Sequence, residues 1–321
     1  MHSLRIVFLL AGVFQFRQTQ AALQRIVAVG DYHGDYPQVA KVLRMAGIID
    51  STGAVLKAMQ PTVFVQTGDV VDRGPDTIAL FELMQRLYNG STMFHSYQES
   101  SASGLIGMFP LLGNHEIMNL QGDLRYVTAE DYASFGGREA RRAAWSSQGW
   151  LGELLFTTFN NVTAIVNGSV FVHGGITSEW AQLGVDGLNN HVHNALKEPR
   201  WRDSVFGSNG PFWYRGYALE NEDVVCKPLK KALKLLKAKR MIIGHTPQLE
   251  SKEILSRCNG QVFVIDVGIS SAYGANCAAL EIVGDIVTAL YCVPGKPDEA
   301  RRVDLTPKLE GLNRSLDDNE L

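Results

Sequence analysis

The chain has 321 residues, of which 45% are hydrophobic, so it can bury a large core as one large domain or two small ones. Its formal net charge of −3 provides no basic field, which argues against nucleic acid as the main partner. Any phosphate group must therefore be bound by a few placed cations or by metal ions.

Residues 1–21 predict a secretory signal peptide. Arg5 precedes a short apolar stretch, and small residues near Ala21 suit a cleavage site. The stretch is too short to cross a bilayer, so no integral membrane span is expected. The alternative is a mitochondrial presequence, because residues 1–30 contain three arginines and no acidic residue. The expected location is the secretory pathway (secreted, ER lumen or periplasm), with the mitochondrion as the alternative.

Short apolar runs alternate with helical patterns along the rest of the chain, which predicts an α/β fold with largely buried strands. The predicted strands are residues 23–29, 62–66, 104–112, 169–172, 240–244 and 261–266, followed by a hairpin. The predicted helices are residues 36–47, 75–88, 128–155 and 228–239. The third of these belongs to a helical insert at about residues 121–160. Residues 294–321 are polar and acidic at their end, so we expect a loose tail.

The cysteines all lie in the C-terminal third of the chain, and their number is even: Cys226, Cys258, Cys277 and Cys292. Residues 276–292 predict a hairpin with Gly284 and Asp285 as a two-residue turn. That register sets Cys277 opposite Cys292. The sequence is equally compatible with a disulfide there, which leaves Cys226 and Cys258 as the remaining pair, and with four buried thiols.

Five predicted strands are each followed directly by Asp, Asn or His. The motifs in chain order are GDYHGD (30–35), GDVVDRG (68–74), GNHE (113–116), HGG (173–175) and GHT (244–246). Ligands of α/β sheets gather at the carboxyl ends of strands, so these side chains should converge in one crevice. The glycines permit the tight turns that such a crevice needs. A single strand end of this kind is more often a turn, but five in register indicate a site.

Mixed oxygen and imidazole ligands without cysteine suit transition metals such as Mn, Fe, Zn or Co. One bridging carboxylate with ligands on either side describes a two-metal site, which is suited to displacement at phosphorus. The set of strand ends therefore predicts a metal-dependent reaction of a phosphate ester.

These five motifs, in this order, resemble those of the calcineurin-like metallophosphoesterases, specifically the phosphoprotein phosphatase superfamily. Within it the sequence is most similar to the Shewanella-like protein phosphatases. The loop of the common eukaryotic Ser/Thr phosphatases is missing, and IDVGISSAYG (265–274) stands near its position. The resemblance implies a β-sandwich flanked by helices, with a dinuclear metal site at strand ends, in a catalytic domain of residues 22–293.

The resemblance also implies the cofactors and their ligands. The cofactors would be two divalent metal ions, with Mn, Fe and Zn as candidates. The implied ligands are Asp31 and His33 for the first ion, Asp69 as the bridge, and Asn114, His173 and His245 for the second.

Four more residues receive roles from the resemblance. His115 would be the general acid, and Asp72 would orient its imidazole. Arg73 would bind the phosphate, with Arg215 in PFWYRGY as a second candidate. Hydroxide activated by the two metal ions would attack phosphorus in line, without a phosphoenzyme intermediate.

The expected function is hydrolysis of phosphate monoesters on a phosphorylated protein or peptide, with phosphotyrosine as a candidate preference. A dinucleoside tetraphosphatase, or another small-molecule phosphohydrolase of the same fold, is the alternative. Those enzymes tend to have Asn-Arg-Gly where this chain has Asp72-Arg73-Gly74, and GNHD where it has GNHE. A non-catalytic binding module predicts eroded ligands, yet every ligand position is filled.

The remaining polar and aromatic candidates are expected to have structural or supporting roles. His191 and His193 are expected to be loop residues. Asp35 and Glu116 are expected to support the ligands rather than bind metal. Tyr214 and Tyr273 are candidates for the wall of the substrate site.

Overall fold

The apolar runs that end in polar loops form strands of two sheets in the computed structural model, which describes residues 24–56, 60–91 and 104–307. The predicted signal peptide lies outside these residues. The strands are β1 (Arg25–Val29), β2 (Thr62–Gln66), β3 (Leu105–Pro110), β4 (Thr163–Val166), β5 (Ser169–Val172), β6 (Arg240–Ile243), β7 (Leu255–Arg257), β8 (Val262–Val264), β9 (Ala278–Val283), β10 (Ile286–Val293) and β11 (Lys296–Asp304).

Helices connect most of these strands. They are α1 (Tyr36–Met45), α2 (Thr77–Asn89), α3 (Asn114–Leu120), α4 (Ala129–Ser134), α5 (Arg138–Trp145), α6 (Trp150–Thr157), α7 (Gly184–Lys197), α8 (Gly216–Leu219) and α9 (Glu222–Leu236). None of the helices within the described ranges is long and apolar enough to cross a membrane.

The two sheets share one apolar core. The first has the order β11-β10-β9-β1-β2-β3, and the second has the order β4-β5-β6-β8-β7. In the first sheet β1, β2 and β3 are parallel, and in the second β5, β6 and β8 are parallel. Phe64 of the first sheet and Phe171 of the second are both fully buried in this core. The fold is therefore mixed α/β with two sheets and flanking helices, as expected.

The parallel strands determine where the site lies. Every residue of β2 and β5 is buried, which is typical of parallel strands covered on both faces. Helices α1 and α2 make the crossovers from β1 to β2 and from β2 to β3, because parallel neighbours cannot be joined by a tight turn. The carboxyl ends of each parallel set consequently meet at one edge.

The predicted C-terminal hairpin has the expected register. Ile286 pairs with Val283 and Tyr291 with Ala278, around the turn at 284–285. Cys277 and Cys292 form a disulfide with their Cα atoms 5.6 Å apart. Cys226 and Cys258 form the other disulfide, with Cα atoms 5.3 Å apart. The disulfide alternative is therefore the correct one, and the alternative of four thiols is wrong.

The predicted loose tail is wrong for its first part. Lys296–Asp304 forms β11, an edge strand antiparallel to β10. The Cζ atom of Arg301 lies 4.4 Å from the Tyr291 ring centroid, and Arg302 forms an ion pair with the buried Glu281. These contacts allow a polar sequence to form a strand. Residues 308–321 lie outside the described residues.

Two predicted helical segments differ from the structure in their division or bounds. The mostly helical segment predicted at 128–155 consists of three helices, α4 to α6, separated at Gly136, Gly137 and Gly149. Helix α9 begins at Glu222 and contains Pro228, so the predicted start at 228 is six residues late.

Two histidines were assigned to the wrong state. His191 and His193 lie within α7 rather than in a loop. The Nε2 atom of His191 lies 3.0 Å from Asp203 Oδ2, and Nε2 of His193 lies 2.9 Å from the carbonyl of Asn160. Both imidazoles thus contribute to helix packing, in agreement with a structural interpretation.

Candidate metal centre and active site

The loops after the parallel strands turn sharply toward one another. Several of the candidate residues have left-handed backbone conformations: His33 (φ 46°), Asp69 (φ 56°), Asp72 (φ 69°), Arg73 (φ 71°) and His245 (φ 66°). Non-glycine residues adopt this conformation uncommonly, and such residues cluster at functional sites. At Gly34 and Gly74 the two loops approach so closely that a Cβ on either would collide with the backbone of the other.

Asp69 lies at the centre of the cluster and is 2% exposed. Its Oδ2 atom is 3.3 Å from Nε2 of His173 and 3.8 Å from Nε2 of His33. Its Oδ1 atom accepts the backbone N–H of His115 at 2.9 Å. This carboxylate therefore faces imidazoles from both sheets, as a bridging ligand must.

The remaining predicted ligands lie on either side of Asp69. Nε2 of His173 is 2.9 Å from Oδ1 of Asn114 and 3.2 Å from Nδ1 of His245. On the other side, Oδ2 of Asp31 is 3.9 Å from Nε2 of His33, and Asp31 also accepts the backbone N–H of His245 at 3.2 Å. The structure thus brings all six predicted ligand side chains together.

Hydrogen bonds define the tautomers of two of these histidines. Nδ1 of His173 lies 2.8 Å from the carbonyl of Thr67, and Nδ1 of His33 lies 3.2 Å from that of Val71. A carbonyl only accepts, so each Nδ1 carries the hydrogen and each Nε2 presents a lone pair toward Asp69. Acceptors that face acceptors in a buried site require a cation between them, so the donor set fits metal ions.

The electrostatics of the cluster agree with this fit. Burial lowers the pKa of His33 to about 4. Burial, together with His173 and Arg215, holds the pKa of His245 well below its usual range. Both imidazoles are therefore unprotonated at neutral pH, as metal ligands must be.

The aspartates at the centre have opposite shifts. Although burial alone would raise it, the pKa of Asp69 is held well below its usual range by His173, His115 and His33. Burial and the nearby carboxylates of Asp266 and Asp69 raise the pKa of Asp31. Several buried carboxylates in contact repel one another, and a divalent cation relieves that repulsion.

Asp266 was missed as a member of this cluster. It is 3% exposed, and burial together with Asp69 raises its pKa to about 6. It follows β8 as the other acids follow their strands, so the same strand-end signal could have identified it.

Glu116 and Asp35 support the loops, as predicted. Glu116 Oε2 accepts the backbone N–H groups of Asp69 (2.9 Å) and Gly113 (2.8 Å), and Oε1 accepts that of Val70 (2.8 Å). Asp35 caps α1 and accepts the backbone N–H of Ser271 at 2.7 Å. Both carboxylates are thus used by backbone donors of neighbouring loops.

His115 and Asp72 form a buried pair beside this cluster. Nδ1 of His115 lies 2.7 Å from Oδ2 of Asp72, which is fully buried. Burial would lower the pKa of His115, but Asp69 and Asp72 raise it above its usual value. Nε2 of His115 lies 3.8 Å from Asp69 Oδ2, so this nitrogen faces the cluster.

Arg73 lies between two aromatic rings at the edge of the cluster. Its Cζ atom is 3.9 Å from the ring centroid of Tyr126 and 5.7 Å from that of Tyr273. Tyr273 also lies 4.9 Å from the ring of His33, one of the predicted metal ligands. Tyr126 was missed, because it lies in an irregular stretch without a recognisable motif.

Arg215 lies on the opposite side, next to His245. Its Nη1 donates to the carbonyl of His245 at 2.6 Å and to Oγ1 of Thr246 at 3.2 Å. It borders a cavity of about 550 Å³ together with Trp213 and Tyr214. The guanidinium is thus close to the metal ligands, with part of its donors used by the protein.

Comparisons with known proteins agree with this site. A profile described as calcineurin-like phosphoesterase matches residues 24–249. An uncharacterised protein of Schizosaccharomyces pombe is 37% identical over 281 residues, covering 83% of this chain and 80% of that protein. Shewanella-like protein phosphatase 2 of Arabidopsis thaliana is 30% identical over 295 residues, covering 77% of this chain and 72% of that protein.

A solved structure has a similar fold. The cold-active protein-tyrosine phosphatase of a psychrophilic Shewanella species superimposes with a TM-score of 0.70 at 26% sequence identity. The superposition covers 88% of this chain and 80% of that one. The matched residues include the loops of all six predicted metal ligands, from Asp31 to His245, whereas Asp266 lies beyond them.

Proposed function

We propose that this chain, which belongs to the calcineurin-like phosphoesterase family, is a metal-dependent phosphatase that hydrolyses phosphate monoesters on proteins. The observation that supports this most directly is the buried cluster around Asp69, in which imidazole lone pairs and carboxylates face one another. The acid pair of His115 and Asp72 lies beside it. A binding module would have no need of that pair.

Two divalent ions of manganese, iron or zinc are the cofactors that we propose. When bound, such ions lower the pKa of a coordinated water and neutralise charge on phosphate oxygens. The chain prepares the site by keeping the imidazoles of His33 and His245 unprotonated through burial. The proposed ligands are Asp31 and His33 for one ion, Asn114, His173 and His245 for the other, and Asp69 for both.

Arg73 is the proposed phosphate clamp. A guanidinium presents a planar fork of donors that matches phosphate oxygens. Its Nε atom is buried and has no hydrogen-bond partner within the described part of the chain, so it is free to donate to a substrate. Stacking on Tyr126 fixes the plane of the fork before the substrate arrives. Arg215 is the proposed second clamp, through the donors that His245 and Thr246 leave free.

His115 is the proposed general acid. Although burial opposes it, Asp69 and Asp72 raise the pKa of His115, which favours the protonated imidazole, and Asp72 holds the Nδ1–H so that Nε2–H can be given to the leaving oxygen. A serine alkoxide or tyrosine phenoxide leaves poorly without that proton. An activated aryl phosphate such as p-nitrophenyl phosphate needs it much less.

Phosphotyrosine is the substrate residue that we favour. The Shewanella structure with the similar fold is a protein-tyrosine phosphatase, and the Arabidopsis relative is named a protein phosphatase. Tyr126 and Tyr273 on either side of Arg73 provide aromatic surfaces on which a phenyl ring can pack.

The test is a comparison of four substrates with the purified protein supplied with Mn²⁺, Zn²⁺ or Fe²⁺. The substrates are phosphotyrosine and phosphoserine peptides, p-nitrophenyl phosphate and diadenosine tetraphosphate. We expect turnover of the peptides, with phosphotyrosine preferred. A preference for the dinucleotide would support the small-molecule alternative instead, and no turnover with any metal would overturn the proposal.

The secretory pathway is the location that we propose. Two disulfides are expected in an oxidising compartment and are rare in a reducing one. Sequencing the N-terminus of the protein from its native cell tests this, because cleavage near Ala21 would leave a mature chain starting shortly after it. A mitochondrial fraction containing the mature protein would favour the alternative.

A further inference from the structure

Helix α5 contains an arginine that is almost completely buried. Arg141 is 1% exposed, and its Nε donates to Oδ2 of Asp131, which is fully buried, at 2.7 Å. Its Nη2 donates to Oδ1 of Asn119 at 2.8 Å. Buried charges of this kind are costly unless paired, so the position of Arg141 requires an explanation.

Asn119 lies in the last turn of α3 and connects this arginine to the acid pair. Its Nδ2 donates to Oδ1 of Asp72 at 3.0 Å and to the carbonyl of His115 at 2.9 Å. Since arginine can only donate, Arg141 fixes the amide oxygen of Asn119 on its own side. The amide nitrogen is thereby forced to point toward Asp72.

The orientation of Asn119 fixes the carboxylate of Asp72. Its Oδ1 is used by Asn119, while its Oδ2 lies 2.7 Å from Nδ1 of His115. A carboxylate held at one oxygen presents the other in a fixed direction, which selects the Nδ1–H tautomer of the imidazole. Asn119 is 5% exposed and Asp72 is fully buried, so no bulk water competes for these bonds.

We propose that Asn119 and Arg141 are positioning residues for the general acid, acting on His115 through Asp72. The inference depends on the proposed function of His115. The helical insert would then contribute to catalysis, because α4 provides Asp131 and α5 provides Arg141. These two residues begin a chain of hydrogen bonds that leads to His115.

The test uses two isosteric variants. Asn119→Asp keeps the acceptor for Arg141 but replaces the donor to Asp72 by a second carboxylate, whereas Asn119→Leu removes both hydrogen bonds without adding a charge. Loss of one hydrogen bond to a buried carboxylate predicts a decrease of about tenfold in kcat for a phosphotyrosine peptide. The decrease for p-nitrophenyl phosphate should be much smaller, with unchanged metal content and KM.

Arg141 is tested together with its partner, because removing it alone would leave Asp131 unpaired and buried. The double variant Arg141→Met with Asp131→Asn should show the same selective loss. Arg142→Met is the matched control, since Arg142 lies in the same helix with a side chain that is 81% exposed. It should leave both activities unchanged.

The His115→Ala background decides whether the effect passes through the imidazole. There, Asn119→Asp should cause no further loss with either substrate, and a further tenfold loss would overturn the proposal. If His115→Ala itself damages both substrates equally, the general-acid assignment fails. If it damages the peptide selectively while the Asn119 variants do not, only the positioning role fails. Variants that fail to fold would be recognised by thermal melting, and Asn119→Leu, which adds no buried charge beside Asp72, is the second variant that keeps the test decisive.

Discussion

Asp69 and Asp72 allow the two proposed roles of one loop to be separated. Both residues have a left-handed φ, 56° and 69°, which asparagine adopts more readily than most residues. Both are also buried. Asp69→Asn and Asp72→Asn therefore preserve volume and backbone preference alike, and each variant serves as the control for the other.

Asp72→Asn should retain metal and lose rate. Two donors face this carboxylate, His115 Nδ1–H at 2.7 Å and Asn119 Nδ2–H at 3.0 Å. An amide has a single oxygen, so one donor must face an NH₂ group or the imidazole must change tautomer. General acid catalysis contributes about 10²–10⁴-fold, or roughly 3–5 kcal/mol. We expect a loss of about 10²-fold for phosphotyrosine peptide and less than about tenfold for p-nitrophenyl phosphate.

Asp69→Asn should lose metal. Although burial would raise it, the pKa of Asp69 is held well below its usual range, and the carboxylate faces proposed ligands on both sides. A neutral amide cannot replace that charge between two cations. Metal content after dialysis, measured by atomic emission, should fall, and turnover of both substrates should fall together.

The two roles would be refuted if Asp72→Asn lost metal and Asp69→Asn retained it. An Asp72→Asn protein without metal, or an Asp69→Asn protein with the metal content of the wild type, would show that the loop was assigned incorrectly. If Asp72→Asn reduced the turnover of phosphotyrosine peptide and of p-nitrophenyl phosphate equally, the proposed role of Asp72 in orienting His115 would be contradicted.

Three further outcomes are expected. Arg73→Lys keeps the charge but loses the fork and its stacking on Tyr126, so KM for a phosphopeptide should rise about tenfold with metal content unchanged; an unchanged KM would contradict the clamp. Cys277→Ser opens a bridge of sequence separation 15, and urea unfolding should show about 3 kcal/mol less stability, whereas an unchanged midpoint would mean that the hairpin alone closes the loop. Although burial opposes it, a backbone N–H and His191 lower the pKa of Asp203, so its stabilisation is present above its unfolded pKa of about 3.9 and lost as pH falls through the lower folded value. The melting temperatures of wild type and Asp203→Asn should therefore differ at pH 7 and converge as the pH falls below the lowered folded pKa of Asp203, and a constant difference would contradict the assignment.

The positions of the proposed ligands could be predicted because each follows an apolar run long enough to form a buried strand. Asp31 follows β1, Asp69 follows β2 and His245 follows β6. Parallel strands bring their carboxyl ends to one edge of the sheet, and this does not depend on how the side chains pack. The local sequence pattern was therefore sufficient to predict that these residues lie together. The hairpin register around 284–285 followed in the same way from turn length.

The chain of hydrogen bonds from Arg141 through Asn119 to Asp72 could not be predicted from local pattern. Arg141 and Asn119 are 22 residues apart, and Asn119 and Asp72 are 47 apart, with no periodic pattern that connects them. An arginine in an Ala-rich, polar helix is ordinarily exposed, so composition favoured a solvated position. It is buried by contacts with Asp131 and with the rings of Tyr132, Phe135 and Trp145, which lie in different turns and helices of the insert.

Strand β11 was not predicted, for a different reason. Its residues are mostly polar and exposed, which is also the composition of a disordered tail. An edge strand needs a partner on one side only and can keep polar residues on its exposed positions. The pairing of Arg302 with Glu281 and the packing of Arg301 on Tyr291 depend on the neighbouring strands, which a local pattern cannot contain.

The left-handed loops of the site are stabilised by hydrogen bonds within the chain itself, in addition to any bound metal. Each residue in a sparsely populated conformation costs about 1–3 kcal/mol. Glu116 accepts three short backbone N–H bonds, from Asp69, Val70 and Gly113, and hydrogen bonds to a charged group contribute about 1.5–3 kcal/mol each. The two quantities are of the same order, so one carboxylate from the third strand end stabilises the turn of the second. Glu116 of the GNHE motif thus stabilises the loop that contains Asp69, so contacts between strand ends contribute to the geometry of the site independently of any metal.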